Sequence, residues 1–268
     1  MNRVRIIFAA TLTAIFFCLG CMSEGATESE IITPINNAVQ LPRQELIVYS
    51  SPEKYSYDDF LHDVEIFREN YPTQVQVLKL CDTVDGRGVY DVILGDLRGE
   101  NQILIFGAMH AREYITVQIV MRQLCESLDA LNGYGGTYRG ISTAELLRGM
   151  TIHFVPNSNP DGVAISQFGL SGVKNPVLRA QVSAMSDGDL EQWKANANGV
   201  DLNRNFPTKN WVKTEKNEFF GGEKPASEIQ TIFLIELIEE VKPRLILTLH
   251  APYKVVNYDG PAEDIAEK

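Results

Sequence analysis

Three residues, His110, Glu113 and His250, have the types and the placement to hold a metal ion. His110 and Glu113 follow the apolar run Ile103-Leu104-Ile105-Phe106, and His250 follows Leu245-Ile246-Leu247-Thr248-Leu249. Both runs read as strands buried on both faces, so all three side chains fall at strand carboxyl ends, where α/β proteins bind ligands. Zinc in a hydrolytic site takes three protein ligands from imidazole and carboxylate and leaves a fourth position for water. The two histidines and the glutamate supply that shell, and Zn2+ is the cofactor it implies.

The His-x-x-Glu spacing does not carry this reading alone, because His62 and Glu65 repeat it. That second pair lies on the polar side of an amphipathic stretch, where a histidine and a glutamate three residues apart are ordinary surface neighbours. His153, inside the apolar run Thr151-Ile152-His153-Phe154-Val155, reads as a packed or edge-strand histidine rather than a ligand.

The surroundings of His110 are specific. The stretch Gly107-Ala108-Met109-His110-Ala111-Arg112-Glu113-Tyr114-Ile115-Thr116 resembles the zinc-binding signature of the metallocarboxypeptidases of the carboxypeptidase A type. Three further stretches resemble that family in the same order: Asn159-Pro160-Asp161-Gly162, then Gly199-Val200-Asp201-Leu202-Asn203-Arg204-Asn205-Phe206-Pro207, then Leu247-Thr248-Leu249-His250. The resemblance implies that Asn203 and Arg204 grip the free carboxylate of a peptide substrate, a task suited to a guanidinium. It implies that Arg112 contacts substrate further from the cut, a structural salt bridge being the alternative. Trp193-Lys194-Ala195-Asn196 places Lys194 where the family has an oxyanion-binding arginine; a solvated surface lysine is the competing reading. Asp161 and Asp201 read as turn-forming residues or carboxylates that orient a metal-bound histidine.

The family's general-base glutamate and a mobile tyrosine lie well beyond the point where this chain stops. Eighteen residues follow His250, and Glu263 and Glu267 fall within them on an expected helix at 261–268, too close in sequence to stand in. The expectation is a C-terminally truncated chain without its general base. Within the family, Trp193-Lys194-Ala195-Asn196 and Ala251-Pro252 look most like the bacterial murein peptide amidase branch, which cuts the γ-D-glutamyl bond to diaminopimelate. A general carboxypeptidase, a zinc-containing binding protein without turnover, and a small-molecule amidohydrolase are the competing readings.

The elements that must position these residues alternate between strand and helix. Tyr57, Phe60, Leu61, Val64 and Phe67 recur at helical steps and are stopped by Pro72. Val75-Gln76-Val77-Leu78-Lys79-Leu80 and Val89-Tyr90-Asp91-Val92-Ile93-Leu94 alternate as a hairpin about Asp85-Gly86. Helices are expected at about 113–131 and 226–241. This order predicts an α/β fold, a mixed, mainly parallel twisted sheet with helices on both faces.

The chain has 268 residues, 44% apolar and 22% charged, and fits one catalytic domain. A net charge of -11 argues against nucleic acid, which needs a basic stripe. Arg3 and Arg5 before the apolar run 6–19 read as an export signal over 1–21. Cys18-Leu19-Gly20-Cys21 resembles a lipobox, so Cys21 is either lipidated, attaching a periplasmic protein to the membrane, or passed over by ordinary cleavage nearby. Residues 22–52 read as a linker and extended lead-in, with order beginning near Ser56, and 53–268 as the peptidase domain. Cys81 and Cys125 are either a disulfide or two buried thiols.

Overall fold

The computed structural model describes residues 6–8, 40–50, 52–95, 99 and 101–251. Cys21, most of the leader and linker, and the helix expected at 261–268 with Glu263 and Glu267 lie outside the described residues. Among the described residues no helix is long and apolar enough to cross a membrane.

The strands are β1 (Ile6–Phe8), β2 (Val75–Asp82), β3 (Gly88–Leu94), β4 (Asn101–Phe106), β5 (Thr137–Tyr138), β6 (Ile141–Ser142), β7 (Met150–Val155) and β8 (Leu245–Thr248). Six of them form one sheet in the order β1-β8-β4-β7-β3-β2, and β5 and β6 pair separately. β1, β8, β4 and β7 run parallel, whereas β7, β3 and β2 are joined by antiparallel pairings. The hairpin read from the alternation is therefore β2 and β3, with its turn at Gly86, whose φ of 77° suits glycine.

The helices are α1 (Tyr57–Asn70), α2 (Ile115–Asp129), α3 (Thr143–Leu147), α4 (Pro160–Phe168), α5 (Pro176–Met185) and α6 (Ile229–Val241). Ser56 opens α1 with a capping box, its hydroxyl accepting from the Asp59 N–H while Asp59 bonds back to the Ser56 N–H. Strand alternation then sorts the core onto two faces. Ile103, Ile105, Ile152, Phe154 and Leu247 join Phe60, Phe67, Val120, Met121 and Leu124 from α1 and α2. Leu104, Phe106, Val155 and Ile246 join Leu234 and Leu237 from α6 on the opposite face. Each such side chain fully buried contributes about 1.5–3 kcal/mol, which is why both helix layers hold to the sheet.

Three expectations shift. Packing begins before Ser56, since Leu41, Leu46 and Val48 are already in the core. The helix expected from 113 starts only at Ile115, because Ala111–Glu113 is a separate tight turn that carries a metal-site residue. The helix expected from 226 starts at Ile229, because Ala226 has a φ of 50° and its N–H donates to the Asn205 carbonyl. Cys81 and Cys125 are both buried free thiols, placed in the cores on opposite sides of the sheet.

Candidate metal centre

The centre lies where two parallel neighbours of the sheet end. Phe106 of β4 pairs with Thr248 of β8, and the Leu249 N–H extends the ladder to the Phe106 carbonyl at 2.9 Å. Adjacent strands lie about 4.8 Å apart, so His110 and His250, each just beyond a strand end, are delivered to the same place. The turn after β4 is tightly held. Gly107 leaves no room for a Cβ against the Pro156 carbonyl, and Ala108 takes a left-handed φ of 47°. The Ala108 N–H donates to the Thr116 hydroxyl at 2.7 Å, which donates to the Glu113 carbonyl at 2.7 Å. Left-handed backbone at a non-glycine residue costs about 1–3 kcal/mol and persists where the surroundings impose it.

The three expected ligands come together. His110 Nδ1 lies 2.9 Å from Glu113 Oε1, His250 Nδ1 lies 2.7 Å from Glu113 Oε2, and the two Nδ1 atoms are 3.1 Å apart. One ligand atom from each residue falls within 4.8 Å of the others. Burial would raise the Glu113 carboxyl, but hydrogen bonds from His110 and His250 outweigh it and hold it down to about 2. The residue is therefore a carboxylate at neutral pH, as a metal ligand must be.

Asp201 supports the other side of His110. Its Oδ1 is 3.3 Å from His110 Nε2 and its Oδ2 is 2.7 Å from Lys194 Nζ. Burial would raise this carboxyl, yet His110 and Lys194 hold it below the usual range. A carboxylate this close to Nε2 favours a proton there, and an imidazole protonated at Nε2 alone would have its Nδ1 lone pair available to a metal. Two imidazole nitrogens and a carboxylate converging on one point are the donor set of a hydrolytic zinc site. The residues present fit zinc.

The pairs set aside in the sequence are elsewhere. His62 is exposed and bonds the Glu45 carbonyl at 3.1 Å, while Glu65 pairs with Arg68. His153 is buried mid-sheet, with Nδ1 2.7 Å from Asp91 and Nε2 3.0 Å from Gln102, so it is a packed histidine and not an edge one. Asp161 is engaged by other groups, accepting from the Asp85 N–H and the Arg87 guanidinium.

Lys194, Asn203 and Arg204 connect to His110 through Asp201, and Arg112 belongs to the turn that carries Glu113. Lys194 is not a solvated surface lysine; it is buried, and its carbonyl accepts from the Ala111 N–H of the metal-site turn at 2.9 Å. Asn159 ties this turn to the next residue, its amide donating to the Met109 and Ala195 carbonyls. Arg204 is half exposed, with Nε 3.4 Å from Asp201 Oδ2, and the Asn203 N–H donates to Asp201 Oδ1 at 3.0 Å. Arg112 pairs with Glu218 at 3.3 Å, so the salt bridge considered for it forms.

Two features escaped the sequence reading. Glu228 accepts from Asn196 at 2.7 Å and Asn198 at 2.8 Å, clamping the loop that carries Lys194. Glu218 and Phe219 lie against Arg112, Lys194 and Arg204. Neither had a local signal, since these partners are 15 to 106 residues away.

The zinc carboxypeptidase family model matches residues 61–263. The chain belongs to the zinc carboxypeptidase family. It is 29% identical over 212 residues to γ-D-glutamyl-L-diamino acid endopeptidase 1 of Lysinibacillus sphaericus, covering 76% of this chain and 52% of that protein. It is 39% identical over 78 residues to murein peptide amidase A of Escherichia coli strain K12, covering 25% and 32% respectively. The chain thus spans about half the length of the longer-matching relative. A crystal structure of thrombin-activatable fibrinolysis inhibitor shares the fold at a TM-score of 0.60 and 20% identity, over 79% of this chain and 50% of that one.

Proposed function

We propose that this chain carries the metal centre of a zinc peptidase that hydrolyses an amide bond near a free carboxylate in cell-wall murein peptides. The observation that carries this reading is the convergence of His110 Nδ1, His250 Nδ1 and Glu113 at the ends of β4 and β8, with Asp201 joining them to Lys194 and Arg204. The murein assignment is supported by similarity to a γ-D-glutamyl-L-diamino acid endopeptidase and a murein peptide amidase. An export signal at 1–21, with or without lipidation of Cys21, would place the protein in the periplasm beside such peptides.

His110, Glu113 and His250 would hold zinc, which when bound would supply Lewis acidity toward water and a carbonyl. The chain's own residues do the rest. Arg204 and Asn203 bind the substrate carboxylate, and Arg112, paired with Glu218, would reach substrate on the far side of the cut only by exchanging that partner. Lys194, buried beside the metal turn, presents a positive charge to the developing oxyanion, where a low-dielectric site makes such a charge most effective. Water adds across the scissile C–N bond: its oxygen bonds the carbonyl carbon, the nitrogen leaves with a proton, and a carboxylate and an amine result.

The test is the release of diaminopimelate from the stem tripeptide L-Ala-γ-D-Glu-diaminopimelate by the zinc-loaded protein, compared with trimming of ordinary peptides. Faster release of diaminopimelate is expected. Equal or reversed rates would assign a general carboxypeptidase instead.

A further inference from the structure

The segment 217–222 is fastened directly to the loop that supports the metal centre. The Asp201 N–H donates to the Phe220 carbonyl at 2.8 Å, and the Phe220 side chain is buried. The Gly221 carbonyl accepts from Asn205 Nδ2 at 2.8 Å. Asn217 caps the turn from inside, its side-chain oxygen accepting the Phe219 N–H at 2.8 Å. The backbone of Phe219 is thus fixed, while its side chain remains 42% exposed.

Two cations pack against the Phe219 ring. Lys194 Nζ is 4.4 Å from the ring centroid and the Arg204 guanidinium carbon is 5.0 Å from it, both within cation–π range. The same two cations face one carboxylate oxygen, Asp201 Oδ2, at 2.7 and 3.4 Å. One negative charge against two positive ones leaves a positive excess beside the metal ligands, and the preceding residue, Glu218, is drawn away to Arg112. An aromatic ring attracts both cations without neutralising either. It can therefore hold them at a fixed separation and leave their charge for an anionic ligand.

We propose that Phe219 is a positioning residue for carboxylate recognition, its ring holding the Arg204 guanidinium that takes the carboxylate at a set spacing from the Lys194 ammonium that meets the oxyanion. This rests on the carboxylate-directed reading above, but not on the murein assignment. Phe219 offers no donor atom to a metal, so zinc content should be indifferent to it.

The experiment measures calorimetric affinities of the zinc-loaded full chain for two peptides, the murein tripeptide and acetyl-Ala-Phe, each as free acid and C-terminal amide. For whichever peptide the parent discriminates, Phe219→Leu and Phe219→Met should weaken free-acid binding by about three- to thirty-fold, the range of one or two cation–π contacts, with amide binding unchanged. Phe219→Tyr should restore the discrimination, and zinc content should be equal throughout. Undiminished discrimination in both aliphatic variants, or equal loss for acid and amide, would overturn the proposal. A parent that does not discriminate acid from amide for either peptide overturns it together with the carboxylate grip. A parent that discriminates only for acetyl-Ala-Phe overturns the murein assignment alone.

Discussion

Asp201 Oδ1 lies 3.3 Å from His110 Nε2, on the opposite side of the imidazole from Glu113. A carboxylate in that position favours the ring form protonated at Nε2, which leaves Nδ1 for a metal. Replacing such a partner typically costs 10–100-fold in metal affinity, so Asp201→Asn should weaken zinc binding by about that factor. Competition with a fluorescent chelator measures it; an unchanged affinity would mean that His110 is oriented by its turn alone.

The ligand assignment predicts a contrast within one sequence motif. His110→Ala and His250→Ala should each lose bound zinc by elemental analysis, because two donors do not close a zinc shell. His62→Ala should keep it, since that imidazole is engaged with the Glu45 carbonyl on the surface. Retention of zinc by the His250→Ala protein would remove β8 from the centre.

Arg87 is predicted to be a stability residue. It is buried, bonding Asp85 at 2.7 Å, Asp161 at 3.0 Å and the Gly172 carbonyl at 2.6 Å. Removing one partner of a buried ionic group costs about 3–5 kcal/mol, so Arg87→Ala should lose about that much in denaturant unfolding.

That loss should depend on pH. Burial raises the Asp161 carboxyl above its usual value, against hydrogen bonds from Thr83, the Asp85 N–H and Arg87 that lower it. A carboxyl raised on folding contributes stability fully below its unfolded pKa of about 3.9 and loses it as the pH climbs through the folded value. Deleting Arg87 removes an opposing influence and raises Asp161 further. The penalty of Arg87→Ala should therefore be smaller near pH 4 than near pH 7, and a penalty that grows on acidification would refute the assignment.

The cysteines should behave as isolated core thiols. Cys81 is pushed up to about 11 by burial, and Cys125 is raised by the same cause. Both should resist alkylation until the protein unfolds, and added reductant should leave the melting temperature unchanged. A reductant-dependent melting temperature would show a disulfide.

Much of the site was legible because its chemistry is concentrated at strand ends. The runs at 103–106 and 245–249 are apolar enough to require a buried sheet, and the residues that follow them must lie at its rim. The helix starts near 113 and 226 were misjudged because each is preceded by residues that fit helical periodicity but are committed elsewhere, Glu113 to the histidines and Ala226 to Asn205. The spacing of His62 and Glu65 equals that of His110 and Glu113, yet only one pair follows a buried strand.

The sequence by itself determined the ligand types, the alternation that makes β4 and β8 central strands, and the family, since these are carried by local pattern and short motifs. Tertiary structure decided which atoms meet. Strand order made β4 and β8 neighbours, and chain folding brought Asp201 to His110, Lys194 into a buried pair, and Glu218 and Phe219 onto the cations. These contacts join residues far apart in the chain, whose meeting depends on how the whole sheet and its helices pack, and no local periodicity encodes that.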